Sequence, residues 1–499
     1  MRTVTGPTDT VVVVGAGLGG LSAALHLAGA GRNVVVVERE PVPGGSAGQI
    51  RDHGYHFDTG PTVLTMPHLV AEALASVGEE ADDWLRLHRL DPAYRARFAD
   101  GSTIDVRADV DAMVDEIGET CGARDAQGYR DFVAYLRALY SVEMPHFIER
   151  NLDSPLQLVG PALLRLLSLG GFGRLGPKVA TFFQDERLRR LFSFQAMYAG
   201  LSPAKALAIY AVITYMDCVE GVYFPEGGMH AVPRAMAAAA AAHGVSFRFN
   251  TAVTAVDVSG GRARGVLTSD GDRIPADVVV INADLPTAYA ELLPPGYTPR
   301  RVRRLRYSPS AVVLHSGSAA RFPQPAHHTI DFGTKWERTF AEIIDEGRLM
   351  SDPSFLLTNP TFTDPSLAPA GRQTYYALFP APNLDPRERG RARRLNWAEQ
   401  RAHYRDDIVA TLEKRGYRGF GDAIECEHLV TPADWKAQGM AAGSPFAAAH
   451  DFGQTGPFRA PTLDRRVENL VFCGANTQPG VGVPMVLVSG RLAAQRITG

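Results

Sequence analysis

Hydrophobic positions along this chain fall in blocks rather than in one sustained period. Residues 11–14 are four consecutive valines, and a stripe of Leu18, Leu21 and Leu25 comes next, before a second valine block at 34–37. Unbroken β-branched runs predict strands buried on both faces, and leucines at i, i+3 and i+7 predict a helix between them. Near the other end, residues 470–473 predict a short buried strand. Residues 485–497 predict an apolar helix entered through Pro484, whose missing N–H is harmless in a first turn. In the middle, residues 245–249, 253–258, 265–268 and 278–281 read as strands with a hairpin at Gly260-Gly261, and 235–242 as a helix of high propensity. Further strands are expected at 311–314, 355–358 and 374–379, and a helix near 397–415.

Composition sharpens this picture at two places. The two longest uncharged runs, residues 10–31 and 469–490, each hold 22 residues and so reach the roughly 20 that a membrane-spanning helix needs. The first also resembles a signal peptide, with Arg2 ahead of it and Ala28-Gly29-Ala30 placed like a cleavage site. Glycines decide against both readings, because they divide strand from helix in the first run and, with Pro479, interrupt the second. The 499 residues carry 51 basic against 54 acidic groups, a net charge of -3, so two or three globular domains are expected and a nucleic-acid partner is not. Cys121, Cys218, Cys426 and Cys473 are scattered with no C-x-x-C pair, which argues against a disulfide framework or zinc site and fits a reducing cytoplasm.

Gly15, Gly17 and Gly20, with Ala16 between the first two, form G-x-G-x-x-G between the first strand and the first helix. Such a turn brings backbone N–H groups to a pyrophosphate at the helix N-terminus. Glu38 closes the second valine strand 18 residues past Gly20, where an acid accepts hydrogen bonds from a ribose 2′-hydroxyl. This predicts an α/β fold of Rossmann type for a dinucleotide, without separating NAD from FAD.

The residues beyond Glu38 separate them. Arg39, the turn Pro43-Gly44-Gly45 and the segment Phe57-Asp58-Thr59-Gly60-Pro61-Thr62 resemble, in this order, the flavin amine oxidase and carotenoid desaturase superfamily. Gly474, Ala475, Thr477, Pro479, Gly480, Gly482 and Pro484 are similar to the C-terminal signature of bacterial-type phytoene desaturases. The resemblance continues through residues 223–229, 351–355, 363–369 and 375–378. It implies FAD held by both chain ends, with Gly15, Ala16, Gly17, Gly20, Glu38, Arg39, Gly44, Gly45, Ser46, Gly60, Pro61, Val253, Gly474, Ala475, Gly482, Val483 and Pro484 as cofactor residues. Val253 is placed against adenine by the resemblance, and a plain core role is the competing reading. The chain departs from the family at Ser46, where an arginine is usual, and at Asn476 and Met485, where glycine is common and the added bulk is expected to face the turn or the flavin. Compensation for Ser46 is expected from Arg39 or Arg51, or else from the serine hydroxyl and the loop amides, with FAD bound less tightly.

The implied organisation is a glutathione reductase-like FAD domain built from residues 1–75, 223–299 and 441–499, a mixed α+β substrate domain at 300–440, and a helical substrate- and membrane-associating region at 76–222. Within the last, residues 155–216 carry seven basic against two acidic groups among many apolar ones. That composition suits docking on an anionic membrane surface, and a helical lid with a solvated basic face is the alternative. The implied activity is removal of hydride and a proton across a C–C single bond of a long polyene. The partners are a lipophilic carotenoid and an electron acceptor, oxygen or a quinone, and the location is cytoplasmic at the inner face of the cell membrane. A sister 3,4-desaturase, hydroxycarotenoid dehydrogenase or ketolase, and a non-catalytic flavin- or polyene-binding protein, remain as alternatives. No metal set and no nucleophile motif is present, and His327 and His328 read as surface or core. Asp58 is the single catalytic candidate, read against a structural carboxylate holding the Gly60-Pro61 turn.

Overall fold

The computed structural model describes residues 1–322, 326–387 and 395–499. At its centre five parallel strands lie in the order Leu470–Phe472, Val278–Ile281, Thr10–Val14, Asn33–Val37, Ser246–Arg248. The valine blocks explain this sheet, because successive side chains alternate between two dry faces. Val11, Val13, Val34, Val36, Val278 and Val280 enter one core with the helices Leu18–Gly29 and Val483–Thr498. Val12, Val14, Val37, Val279 and Ile281 enter a second, shared with Leu285, Tyr289 and an antiparallel sheet of Val253–Ser259, Arg262–Thr268 and Arg273–Pro275. Gly260 and Gly261 both have positive φ (59° and 76°), which lets the hairpin pair from Ser259 and Arg262, so the first strand runs one residue longer and the second begins three residues earlier than expected. Each fully buried valine contributes about 1.5–3 kcal/mol.

The two uncharged runs are thus each a strand, a glycine turn and a helix. Among the described residues no helix is long and apolar enough to cross a membrane.

A second, seven-stranded sheet runs Ile424–Val430, Ser310–Ser318, Gln373–Ala381, Phe355–Thr358, His328–Asp331, Tyr94–Arg97, Thr103–Val106. Its last two strands come from the stretch 76–222, expected to be helical. Alternation accounts for them: Tyr94 and Ala96 are fully buried, while Arg95 pairs with Asp105 across the hairpin at 2.7 Å. The rest of that stretch is mainly helical, with Val110–Cys121 and Ala123–Glu143 succeeded by short helices including Pro161–Ser168, Leu175–Val179 and Glu186–Leu191.

Candidate active site

Where the first strand ends, Gly15 turns at φ 99° and its N–H donates to the Val37 carbonyl (2.8 Å), locking the turn to the second strand. Gly17 is the N-cap of the helix Leu18–Gly29 and offers no side chain, so the free N–H groups of the first turn stay available to an anion. Space here excludes larger residues. A Cβ on Gly20 would overlap the Gly15 carbonyl oxygen, and one on Gly17 would lie 2.8 Å from Asn282 Oδ1. The Gly44-Gly45 turn lies against this one: Gly44 N–H donates to Ala16 O (2.9 Å), and Gly45, at φ 55°, packs on the Gly17 Cα.

Glu38 lies beneath the first turn, 6% exposed, with its carboxylate accepting from the N–H groups of Ala16 (2.7 Å) and Glu40 (2.9 Å). Its carbonyl accepts from Thr251 N–H, which places Val253 two residues farther along the same wall, half-buried in the second core. Arg39 is exposed and bonds the Gln438 carbonyl (2.8 Å) and Glu40, and Arg51 Nε donates to Gln49 Oε1 (3.0 Å). The Ser46 side chain is exposed; its carbonyl packs so closely on Gly60 that a Cβ there would overlap it, and the Gly60 carbonyl accepts from Tyr376 OH (3.0 Å). Pro61 comes next, half-buried.

The C-terminal turn repeats the design. Gly474 has φ 111°, its N–H donates to Ser489 Oγ (3.0 Å), and Thr477 Oγ1 donates to the Gly474 carbonyl (2.8 Å). Ala475 continues the turn, and Gly482, at φ 109°, is an N-cap without a side chain for the helix Val483–Thr498, whose first turn contains buried Val483 and Pro484. The two cradle helices touch: Ser22 Oγ donates to Leu487 O (2.8 Å), and a Cβ on Gly490 would overlap the Gly19 carbonyl. Two open helix N-termini side by side, glycine turns that tolerate no Cβ, and a buried acid at the end of the second strand fit a long dinucleotide.

Three side chains that the sequence did not flag complete the cradle. Asn282 stands between the two turns, its amide close to Gly17, Gly19, Gly20 and Gly474. Asp284 caps the helix Leu285–Glu291 and accepts from Asn476 Nδ2 (2.7 Å); burial pushes its carboxyl up to about 6. Arg459 is buried behind the C-terminal turn. Asn282 and Asp284 come directly after a valine strand, a position that could have drawn notice, whereas nothing near Arg459 signals its place.

The Asn476 side chain is held by Asp284 and by Ala448 N–H (2.8 Å), which ties its added bulk to the elements around the turn. One expectation changes. Asp58 does not hold the Gly60-Pro61 turn: its oxygens accept from Met229 N–H (2.8 Å) and His230 N–H (3.2 Å), securing the turn before the helix Ala231–Ala242. Gly228, at φ 92°, is required there, since a Cβ would lie 2.8 Å from the carboxylate. Burial pushes Asp58 up to about 7, against the lowering effect of the two N–H groups.

His327 and His328 are core residues bonded to Thr363 and Thr358. Met485 is half-buried and packs on the first core. Glu143 and Asp217, also unflagged by sequence, are buried carboxylates that each have an oxygen without a hydrogen-bond partner. Among the described residues no group of three or more His, Cys, Asp or Glu is arranged to hold a metal ion.

A family model described as flavin containing amine oxidoreductase matches residues 18–498. A phytoene dehydrogenase of Streptomyces griseus is 58% identical over 499 residues, 100% of this chain and 97% of that protein. A zeta-carotene-forming phytoene desaturase of Myxococcus xanthus is 38% identical over 491 residues, covering 98% and 93%. Among solved structures, an oxidoreductase from Methanosarcina mazei superposes with a TM-score of 0.63 at 16% identity, covering 97% of this chain and 99% of that one. Fold, cradle and likeness over the whole length agree, and the chain belongs to the flavin containing amine oxidoreductase family, among its phytoene desaturases.

Proposed function

We propose that this protein is an FAD-dependent carotenoid desaturase acting on phytoene. The observation that carries the reading is end-to-end similarity to phytoene desaturases in a chain whose two termini build one glycine cradle. Bound flavin supplies the hydride acceptor, so the protein needs to contribute binding, orientation and exclusion of water. Glu38 is assigned to the adenosine ribose, the helix beginning at Leu18 to the pyrophosphate, and the helix beginning at Val483 to the far end of the cofactor. The electron acceptor is assigned to oxygen or a membrane quinone. Purified protein is expected to show a flavin spectrum that bleaches when phytoene in liposomes is added without oxygen, with a more conjugated polyene as product. A protein that takes up no FAD, or leaves phytoene unchanged, overturns the reading.

A membrane-docking face at the inner side of the cell membrane belongs to the same reading. Leu156, Val159 and Leu164 are 80, 74 and 68% exposed, and Leu167 joins them on the helix Pro161–Ser168. Phe452 and Phe458 are exposed too, and Phe452 meets Phe172 edge-on. Gln478 joins the two groups by donating to both Leu152 O (2.9 Å) and Gly456 O (3.2 Å). The basic excess of 155–216 is partly spent internally, with Arg187 on Asp185, Arg190 on Glu186 and Lys205 on Asp345. Exposed Arg165 and Arg174 flank the apolar groups, an arrangement suited to anionic headgroups above an apolar interior.

A further inference from the structure

Arg459 is 2% exposed, yet its guanidinium meets only backbone carbonyls. Nε donates to Thr477 O (3.0 Å), Nη2 to Ala475 O (2.6 Å) and Nη1 to Gln454 O (3.3 Å) and Ala448 O (3.4 Å). No carboxylate forms an ion pair with it among the described residues, and Asp451, close enough to affect it, is paired with Arg306. Burial lowers its guanidinium to about 10, so it remains a cation at neutral pH.

Peptide planarity and Coulomb's law give this placement two effects. In a planar trans peptide C=O and N–H point in opposite directions, so pinning the Ala475 carbonyl to Arg459 turns the Asn476 N–H toward the opposite face of the turn. With Thr477 Oγ1 tied to Gly474 and Ser489, both ends of that turn are fixed. A buried charge without a partner also acts at long range, because little water screens it.

We propose that Arg459 is a positioning residue for the flavin. Its fork sets the peptide orientations of residues 474–478, and its uncompensated charge favours the reduced cofactor. When bound, flavin would gain one negative charge on accepting a hydride, and the proton from the neighbouring carbon would pass to water, so a fixed cation nearby would favour the reduced form. This inference rests on the FAD reading above.

The test compares wild type, Arg459→Lys and Arg459→Met. Readouts are FAD titration of the apoprotein, reduction potential against a reference dye, and thermal unfolding followed by circular dichroism. Arg459→Met is expected to bind oxidised FAD at least tenfold more weakly and to stabilise the reduced form tenfold less, a two-electron potential lower by ~30 mV. Arg459→Lys, which keeps the charge but not the fork, is expected to retain the potential while binding FAD several-fold more weakly. A folded Arg459→Met with wild-type affinity and potential overturns the proposal. If Arg459→Met does not fold, wild-type affinity in Arg459→Lys does so. Wild-type protein that takes up no FAD defeats the cofactor reading itself, a result distinct from variants that bind as wild type does.

Discussion

Asp217 shows how a single buried group shapes the whole protein's response to pH. Burial pushes its carboxyl up to about 7, whereas in an unfolded chain an aspartate titrates near about 4. Between about pH 4 and 7 the folded protein keeps a proton that the unfolded chain has released. The stability tied to that proton is complete below about pH 4 and is lost as the pH rises through 7. Asp58 shares the direction and the window. Asp217→Asn removes one such contribution, so the stability lost between pH 5 and 8 is expected to shrink by about 2–3 kcal/mol. Chemical unfolding at both pH values measures it, and the same loss in wild type and variant would contradict the burial argument. Asp217, unlike Asp58, was silent in the sequence, and so were Asn282 and Arg459. Asn282 acts on Cys473 and Gly474, some 190 positions away, and Arg459 recognises carbonyls, which every residue has. Glu38 and the glycines, by contrast, were legible because their neighbours in sequence are also their neighbours in space.

At the level of elements, the contact between Leu18–Gly29 and Val483–Thr498 depends on one missing methyl group. Gly490→Ala places a Cβ against the Gly19 carbonyl and 2.7 Å from Ser22 Cβ. The helices must separate, at about 1–3 kcal/mol, and FAD affinity is expected to fall with them. Gly118, inside the helix Val110–Cys121, is the contrasting case, because its Cβ would meet only Ala126 at 3.8 Å. Gly118→Ala is expected to gain about 0.5–1 kcal/mol. Melting curves and FAD titration of both variants check the pair; a harmless Gly490→Ala would rule out a tight seam. Elements buried on both faces were the readable ones, since an unbroken valine run admits few other structures. The strands Tyr94–Arg97 and Thr103–Val106, the second of them at the sheet edge, escaped notice because four-residue strands that mix one buried face with paired charges carry too little periodicity.

On the scale of the whole molecule, the apolar face at Leu156–Leu167 and Phe452–Phe458 gives the membrane reading a direct test. Leu156→Glu combined with Leu164→Glu places two charges where an acyl interior is proposed. Sedimentation with phosphatidylglycerol-containing vesicles is expected to drop at least tenfold while the flavin spectrum is kept. Unchanged sedimentation sinks the docking face. Net charge gave no hint of this surface, because exposed leucines and arginines contribute to a composition without recording where they gather.

The central sheet takes its third strand in spatial order from Thr10–Val14 and an outer one from Leu470–Phe472. During synthesis, therefore, the strand that begins the fold waits for nearly the entire chain before its cradle has a second wall. A nascent chain that has not reached residue 470 has the Gly15–Gly20 and Gly44-Gly45 turns but not those at Gly474 and Gly482, so on the proposed reading it presents only part of the FAD site. Cofactor uptake would then wait until Thr10–Val14 and Leu470–Phe472 share one sheet.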